Sequence, residues 1–385
     1  MSQRKKSNFI EWIYIFSVCL ALILHVFNTI KVSESIKLFH IPALFAAFLS
    51  LIIILKSKLN LLNRYLIWIL ILTIISSCIS LYSGSLMRGL SFLIVVGSTL
   101  GIPYVDKKKL LLVANCLLPI ALLGLFIASR AEDVYRFQGF YEDPNYLCTT
   151  LLVFLYIILN NIHHAHGLIR ILFIAEILII VSFVLLTISR TGLVCIVFLL
   201  TIAVLHTIKK HYFISFLSIL VCLIFIQYKN PEIISTAVQA YSGRENEGPD
   251  NVNQAAHLRF EISKRGIQFV FQNPKYLLLG IGIGATAHHE EIPGFKASTT
   301  HGDHNTITSC FTEQGIVTFA LFILVLFHLY RILYYNRNEE NGYLSFGVFI
   351  AISIFSLSIN QMLYLPYWFL LLLLYNSKGA IQENR

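Results

Sequence analysis

Apolar runs of close to 20 residues recur along this chain from Phe9 onward, parted by short polar breaks. Each is long enough to cross a bilayer core of about 30 Å as a helix. Only 13% of the residues are charged and 57% are hydrophobic, whereas soluble proteins carry about 25% charged residues. The chain therefore reads as an all-α, polytopic membrane helix bundle, a single integral membrane domain over 1–385. Run lengths give about 12 spans: 9–29, 38–55, 65–82, 86–103, 110–128, 145–161, 168–189, 191–207, 212–228, 315–335, 342–362 and 364–377. One unbroken helix over 168–207 would measure about 60 Å, roughly twice the bilayer core. That stretch must fold back, and Ser189-Arg190-Thr191-Gly192 is its polar break.

The first run follows Arg4-Lys5-Lys6 and lacks a small-x-small cleavage site. It reads as an uncleaved first span. The formal charge of +9 points to membrane topology rather than nucleic acid, because cytoplasmic loops accumulate Lys and Arg. With the N-terminus inside, the short outer loops hold only Lys31, Lys37, Arg88, Arg130, Arg136 and Arg190. The inner segments hold most of the other basic residues, among them Lys56, Lys58, Lys107, Lys108 and Lys109. This bias places both termini in the cytoplasm. The seven cysteines include no C-x-x-C, and most lie in apolar runs. They read as small buried hydrophobes.

Two outer segments stand out, 129–145 and the much longer 229–314. The part of the long loop around Tyr241–Asn253 is rich in Gly and Asn and is expected to be flexible. Leu258–Val270 has helical apolar spacing and reads as an amphipathic helix at the outer surface. Asn273-Pro274 should end it, and Gly280, Gly282 and Gly284 permit a tight turn. The loop closes with His301-Gly-Asp-His304-Asn305, then Glu313-Gln-Gly315, where polar chain runs into an apolar helix.

Each polar residue admits two readings. Arg190 is either a snorkelling anchor or an anion-binding guanidinium. Arg136 precedes Gly139 and an Asp143-Pro144-Asn145 turn of a kind that commonly starts a helix. Lys264 and Arg265 suit headgroup attraction, with Arg259 less well explained by it. His301 and His304 could act as general bases near neutral pH. His288, His289, Glu290 and Glu291 leave a metal site open, although their spacing fits no zinc pattern. His163, His164 and His166 read as a solvated cytoplasmic loop. Glu176, inside a span, is a functional candidate or an acid satisfied by a neighbouring hydroxyl or amide.

Three patches together resemble the superfamily of bacterial O-antigen ligases and polymerases. Arg136-Phe-Gln-Gly139 through Pro144-Asn145 is similar to its R-x-x-G-x-x-x-x-P-N entry to a span. Ser189-Arg190-Thr191-Gly192 is similar to its S-R-small turn. In the long loop, Arg259, then Pro274 with Gly280 and Gly282, then His304-Asn305 with Glu313 and Gly315 follow its R, P-x-x-G-x-G and H-N-x7-E-x-G order. Leu277-Leu278-Leu279 lengthens the gap before the glycines, and the segment from Gly284 to His301 is short. The likeness runs over about 130–330.

The resemblance implies a GT-C-like, metal-independent glycosyltransferase without cofactor, in the bacterial inner membrane with its active site on the periplasmic side. Its donor would be a glycan on undecaprenyl pyrophosphate. Arg190, Arg136 and Arg259 would bind the donor pyrophosphate, and His304 would be the base that activates the acceptor sugar. Asn305, Glu313, Asn145 and Gly282 would support the site. The Phe140–Asn145 patch and Leu365-Pro366-Tyr367-Trp368 lean towards a polymerase, whose acceptor is another lipid-linked repeat unit. The alternative is a ligase, whose acceptor is lipid A-core. A polysaccharide transporter or flippase is the alternative of another class. Carriers tend to show related halves and broken helices, and no internal repeat is evident.

Overall fold

The computed structural model describes residues 2–32, 36–80, 82–131, 137–141, 143–162, 164–207, 249–292, 305–339 and 341–376. The α-helices among them are α1 (Ser2–Leu24), α2 (His40–Leu55), α3 (Leu61–Ile79), α4 (Ser85–Thr99), α5 (Lys107–Ala131), α6 (Pro144–Ile162), α7 (Gly167–Thr187), α8 (Arg190–Thr207), α9 (Pro249–Gln272), α10 (Thr306–Tyr335), α11 (Gly342–Ser358) and α12 (Leu365–Asn376). Lys31 and Lys37 form a lone antiparallel bridge. Among the described residues, seven helical segments are long and apolar enough to cross a membrane, and four others are shorter apolar helices. The molecule is a polytopic helical bundle. The expected spans from 9–29 to 191–207, together with 342–362 and 364–377, each overlie a described helix. The span expected over 212–228 lies outside the described residues.

Two helices form the centre. α6 is buried from Leu147 to Asn160, and α12 from Leu365 to Tyr375. Helices apolar all round are those that become enclosed by other helices. Trp368 of α12 packs between Phe92 of α4 and Phe322 of α10, with ring centroids 5.8 and 6.1 Å away. Its indole N–H donates to the Met362 carbonyl at 2.8 Å, so a polar edge buried in an apolar core keeps its partner.

The fold-back in the long apolar stretch occurs where length required it. α7 ends at Thr187, Ile188 takes a left-handed conformation at φ 51°, and α8 starts at Arg190. The Ser189 hydroxyl accepts the Gly192 N–H at 3.0 Å. This is an N-cap bond, which satisfies a backbone donor that the first helical turn leaves open.

Two loop expectations change. The amphipathic helix is longer than Leu258–Val270, because α9 starts at Pro249. The end of the segment expected to be flexible, from Pro249 to Asn253, is therefore helical. Proline suits the first helical position. α9 also packs on α10. Thr308 Oγ1 lies 3.3 Å from Ser263 Oγ, Gly266 faces Thr312, and the Phe271 and Phe311 rings are 5.7 Å apart. The second change is in α10. A span was expected from 315, but the helix begins at Thr306 and breaks at Gly315, where φ is 82° and ψ 173°.

Candidate functional site

The break in α10 exposes backbone groups that an unbroken helix would pair internally. The glycine run supplies their partners. Ile281 N–H donates to the Thr312 carbonyl at 3.1 Å and Gly282 N–H to the Glu313 carbonyl at 2.8 Å. Beyond the break, Ile316 N–H donates to the Leu277 carbonyl at 2.9 Å. Irregular backbone inside a membrane bundle persists only where protein groups satisfy it. Side chains of α3 and of Ser80, which follows it, close the other side. Ser76 Oγ donates to the Glu313 carbonyl at 3.1 Å, Thr73 Oγ1 to Gln314 Oε1 at 2.9 Å, and Ser80 Oγ to the Ile281 carbonyl at 2.5 Å. The Glu313 side chain is buried, and its Oε1 accepts the Thr286 hydroxyl at 2.5 Å and the Thr286 N–H at 3.2 Å. Glu313 therefore holds the loop after the glycines against the broken helix.

Glycine is required here by both conformation and space. Gly280, Gly282, Gly284 and Gly315 have φ of 75°, 103°, 79° and 82°. A β-carbon on Gly280 would strike the Glu313 backbone, and one on Gly315 would strike the Leu278 backbone. Gly280→Ala should cost about 2–5 kcal/mol, from left-handed strain plus overpacking. Gly167→Ala is the control, since Gly167 has φ 55° but nothing within 4 Å of an added β-carbon. The check is the thermal unfolding midpoint in detergent. Equal shifts for the two variants would show that the loop-to-helix seam carries no load.

Beside this seam stands a cation that the sequence reading counted only as loop charge. Arg88, on α4, donates through Nη2 to His288 Nε2 at 3.0 Å. Its guanidinium carbon is 5.6 Å from the Tyr82 ring centroid, and the His288 ring stacks on Tyr82 at 4.5 Å. Gly284 packs directly on the Arg88 side chain. His288 Nδ1 lies 3.8 Å from Glu290 Oε1. Of the residues that left a metal site open, His288 thus has one ring nitrogen engaged by an arginine. Among the described residues no three metal-ligating side chains gather.

A second set of bonds joins two of the sequence patches. Ser189 Oγ donates to Asn145 Oδ1 at 2.6 Å, beside Arg190. The Asn145 carbonyl accepts Thr149 Oγ1 at 3.2 Å, and Gln361 Nε2 donates to Thr149 Oγ1 at 2.9 Å. Gln361 N–H in turn donates to Thr306 Oγ1 at 2.9 Å. Asn360 Nδ2 donates to Ser309 Oγ at 2.9 Å, while the Asn360 carbonyl accepts Tyr146 OH at 2.8 Å. The connection between α11 and α12 is therefore a polar hub. It ties the start of α6, the turn before α8 and the start of α10 to one end of the bundle. Gln361 and Thr149, both buried, were not among the sequence candidates.

The expected site residues fall into three groups. Asn145, Gly282, Asn305 and Glu313 are placed and have structural partners. Asn305 caps α10, its Oδ1 accepting Ile307 N–H at 2.9 Å and Thr308 N–H at 3.3 Å. Arg190 is the exposed first residue of α8. Arg259 lies on α9, but its side chain is outside the described residues, as are Arg136, His301 and His304 entirely.

Residues 175–323 match the family model described as O-antigen ligase. The match runs from α7 into α10 and takes in Arg190, Arg259, Gly282, His304, Asn305 and Glu313, leaving out Arg136 and Asn145. No curated protein matches the chain. Asn145 nevertheless belongs with the matched part by its bond to Ser189. The match over residues 175–323 supports the resemblance to the O-antigen ligase and polymerase superfamily.

Proposed function

We propose that the protein transfers a glycan from undecaprenyl pyrophosphate to an acceptor sugar at the periplasmic face of the inner membrane, as a polymerase of O-antigen or a related surface polysaccharide. The observation that carries this reading is the bonded path Ser189–Asn145–Thr149–Gln361–Thr306. It supports a site in which Arg190, next to Ser189, and His304, two residues before Thr306, work at the same end of the bundle.

In the reaction, the His304 imidazole takes the proton of an acceptor hydroxyl as that oxygen attacks the anomeric carbon. The bond from that carbon to the pyrophosphate oxygen breaks, and undecaprenyl pyrophosphate leaves with the electron pair. Arg190, with Arg136 and Arg259, stabilises the charge developing on the leaving group. Asn305 and Glu313 hold the two flanks of the histidine segment, through the α10 cap and the seam at Gly282. No metal or cofactor enters this step. The alternative acceptor is lipid A-core, which would make the protein a ligase.

The lipopolysaccharide pattern of a deletion strain tests the reading. A single core-plus-one-repeat band is the expected result for a polymerase. Bare core together with polymeric lipid-linked glycan would instead assign the ligase. Accumulation of lipid-linked units on the inner leaflet would overturn transfer in favour of a flippase.

A further inference from the structure

Arg88 is the fourth residue of α4, within the first turn of that helix. A cation there opposes the positive end of the helix dipole. The contacts that offset this cost lie across the seam, on the turn Gly284–Glu291. Arginine only donates, so His288 Nε2 is the acceptor of its 3.0 Å bond. Tyr82 meets both partners. It faces the guanidinium at 5.6 Å and stacks on the imidazole at 4.5 Å, with 10° between the two planes. Gly284 completes the fit, because a β-carbon there would strike Arg88 Nη1.

The same turn is held from a second helix. Thr286, two residues before His288, gives its hydroxyl and its N–H to Glu313 Oε1 on α10. The Glu313 carboxylate lies within electrostatic reach of the Arg88 guanidinium. Ala285 and Ile292 pack in one apolar cluster with Tyr82, Phe269 and Val270. α4 and α10 thus grip a single turn at neighbouring positions. The grip has a consequence because α10 is broken at Gly315. An unbroken helix carries its own direction along its length. The part of a broken helix before the break takes its direction from its tertiary partners. Glu313 is where the turn holds that part, Thr306–Gln314. Asn305 caps it, and His304 is the residue before Asn305.

We propose that Arg88 is a positioning residue for glycan transfer. By fixing the His288 turn against α4 it fixes Glu313, and with Glu313 the segment Thr306–Gln314 that begins beside His304. This role rests on the glycan-transfer reading, whereas the grip itself is measurable without it.

The test compares the full wild-type chain in detergent with Arg88→Ala, His288→Ala and the double variant. Hydrogen exchange reads the grip. The N–H groups of Ala285, Thr286 and Ala287 are bonded to the Gly282 carbonyl, Glu313 Oε1 and the Gly284 carbonyl. Each single variant should speed their exchange by at least about tenfold, as expected when a hydrogen bond to a charged group is lost. The double variant should add little, because both single variants remove one shared contact. Transfer from purified lipid-linked donor reads the consequence. In Arg88→Ala, kcat should fall about tenfold while KM for the donor changes less than about twofold. Arg88→Lys should recover part of both effects, since it donates but lacks the planar fork. His288→Ala leaves α4 intact and keeps the test decisive if Arg88→Ala folds poorly. Unchanged exchange in both single variants would overturn the grip. Fully additive losses in the double variant would overturn the pairing as its cause. A raised KM with kcat unchanged would make Arg88 a donor-binding residue and overturn positioning. Absence of transfer by the wild type, with exchange responding as expected, would overturn the glycan-transfer reading and leave the grip standing.

Discussion

His304→Ala is expected to lower glycan transfer by about 10²–10⁴-fold, the range lost when a positioned general base is removed. An acceptor hydroxyl is a poor nucleophile while it keeps its proton, and no other titratable side chain stands as close in sequence to the α10 cap at Asn305. The base reading predicts that binding of the lipid-linked donor survives while turnover is lost. The measurement is transfer in vitro with purified lipid-linked substrate, read alongside donor binding to the same variant. His301→Ala is the matched control, three residues away and outside the H-N-x7-E-x-G pattern. Loss of similar size in both would show that the segment matters for its shape rather than for one imidazole.

The second large effect is expected at the turn between α7 and α8. Arg190→Ala should cost about 10²–10³-fold in transfer, as when one preorganised group is withdrawn from a developing charge. Arg190→Lys should restore only part of this, because an ammonium cannot reproduce the two-pronged contact of a guanidinium with phosphate oxygens. A snorkelling anchor would behave otherwise. Lysine snorkels as well as arginine, so full rescue by lysine would refute the pyrophosphate role. The comparison is fair because Ser189 and Gly192, not Arg190, supply the capping bond of the turn. Lipid-linked intermediates should build up on the outer leaflet in the alanine strain.

Much of this architecture is legible in local sequence. The fold-back at Ser189–Gly192 follows from length alone, because forty apolar residues exceed one crossing. The three glycines after α9 announce a turn, since each occupies a backbone region that side chains disfavour. What that turn is for was not legible. Its partners are the carbonyls of Thr312 and Glu313, thirty residues on, and they become acceptors only because α10 breaks at Gly315. The break itself was hidden, since one glycine in an apolar run does not declare whether a helix bends there. Arg88 illustrates the same limit. Read along the chain it is one more outer-loop charge, and its role appears only when His288, two hundred residues later, arrives within 3.0 Å. Gln361 carries no signal at all in its own neighbourhood.

The sequence by itself determined that the chain is a multi-pass helical membrane protein, where its long apolar stretch turns back, and which motifs it shares with a family of glycan transferases. These are properties of hydropathy and residue order within windows of about 20 residues, and local chemistry suffices for them. Only the tertiary structure decided which polar ends meet: Asn145 with Ser189, Gln361 with Thr149 and Thr306, and the glycine loop with the broken α10. Those pairings join residues from 27 to more than 200 positions apart. They arise because each buried polar group must find its partner wherever helix packing delivers one, and packing is a property of the whole bundle.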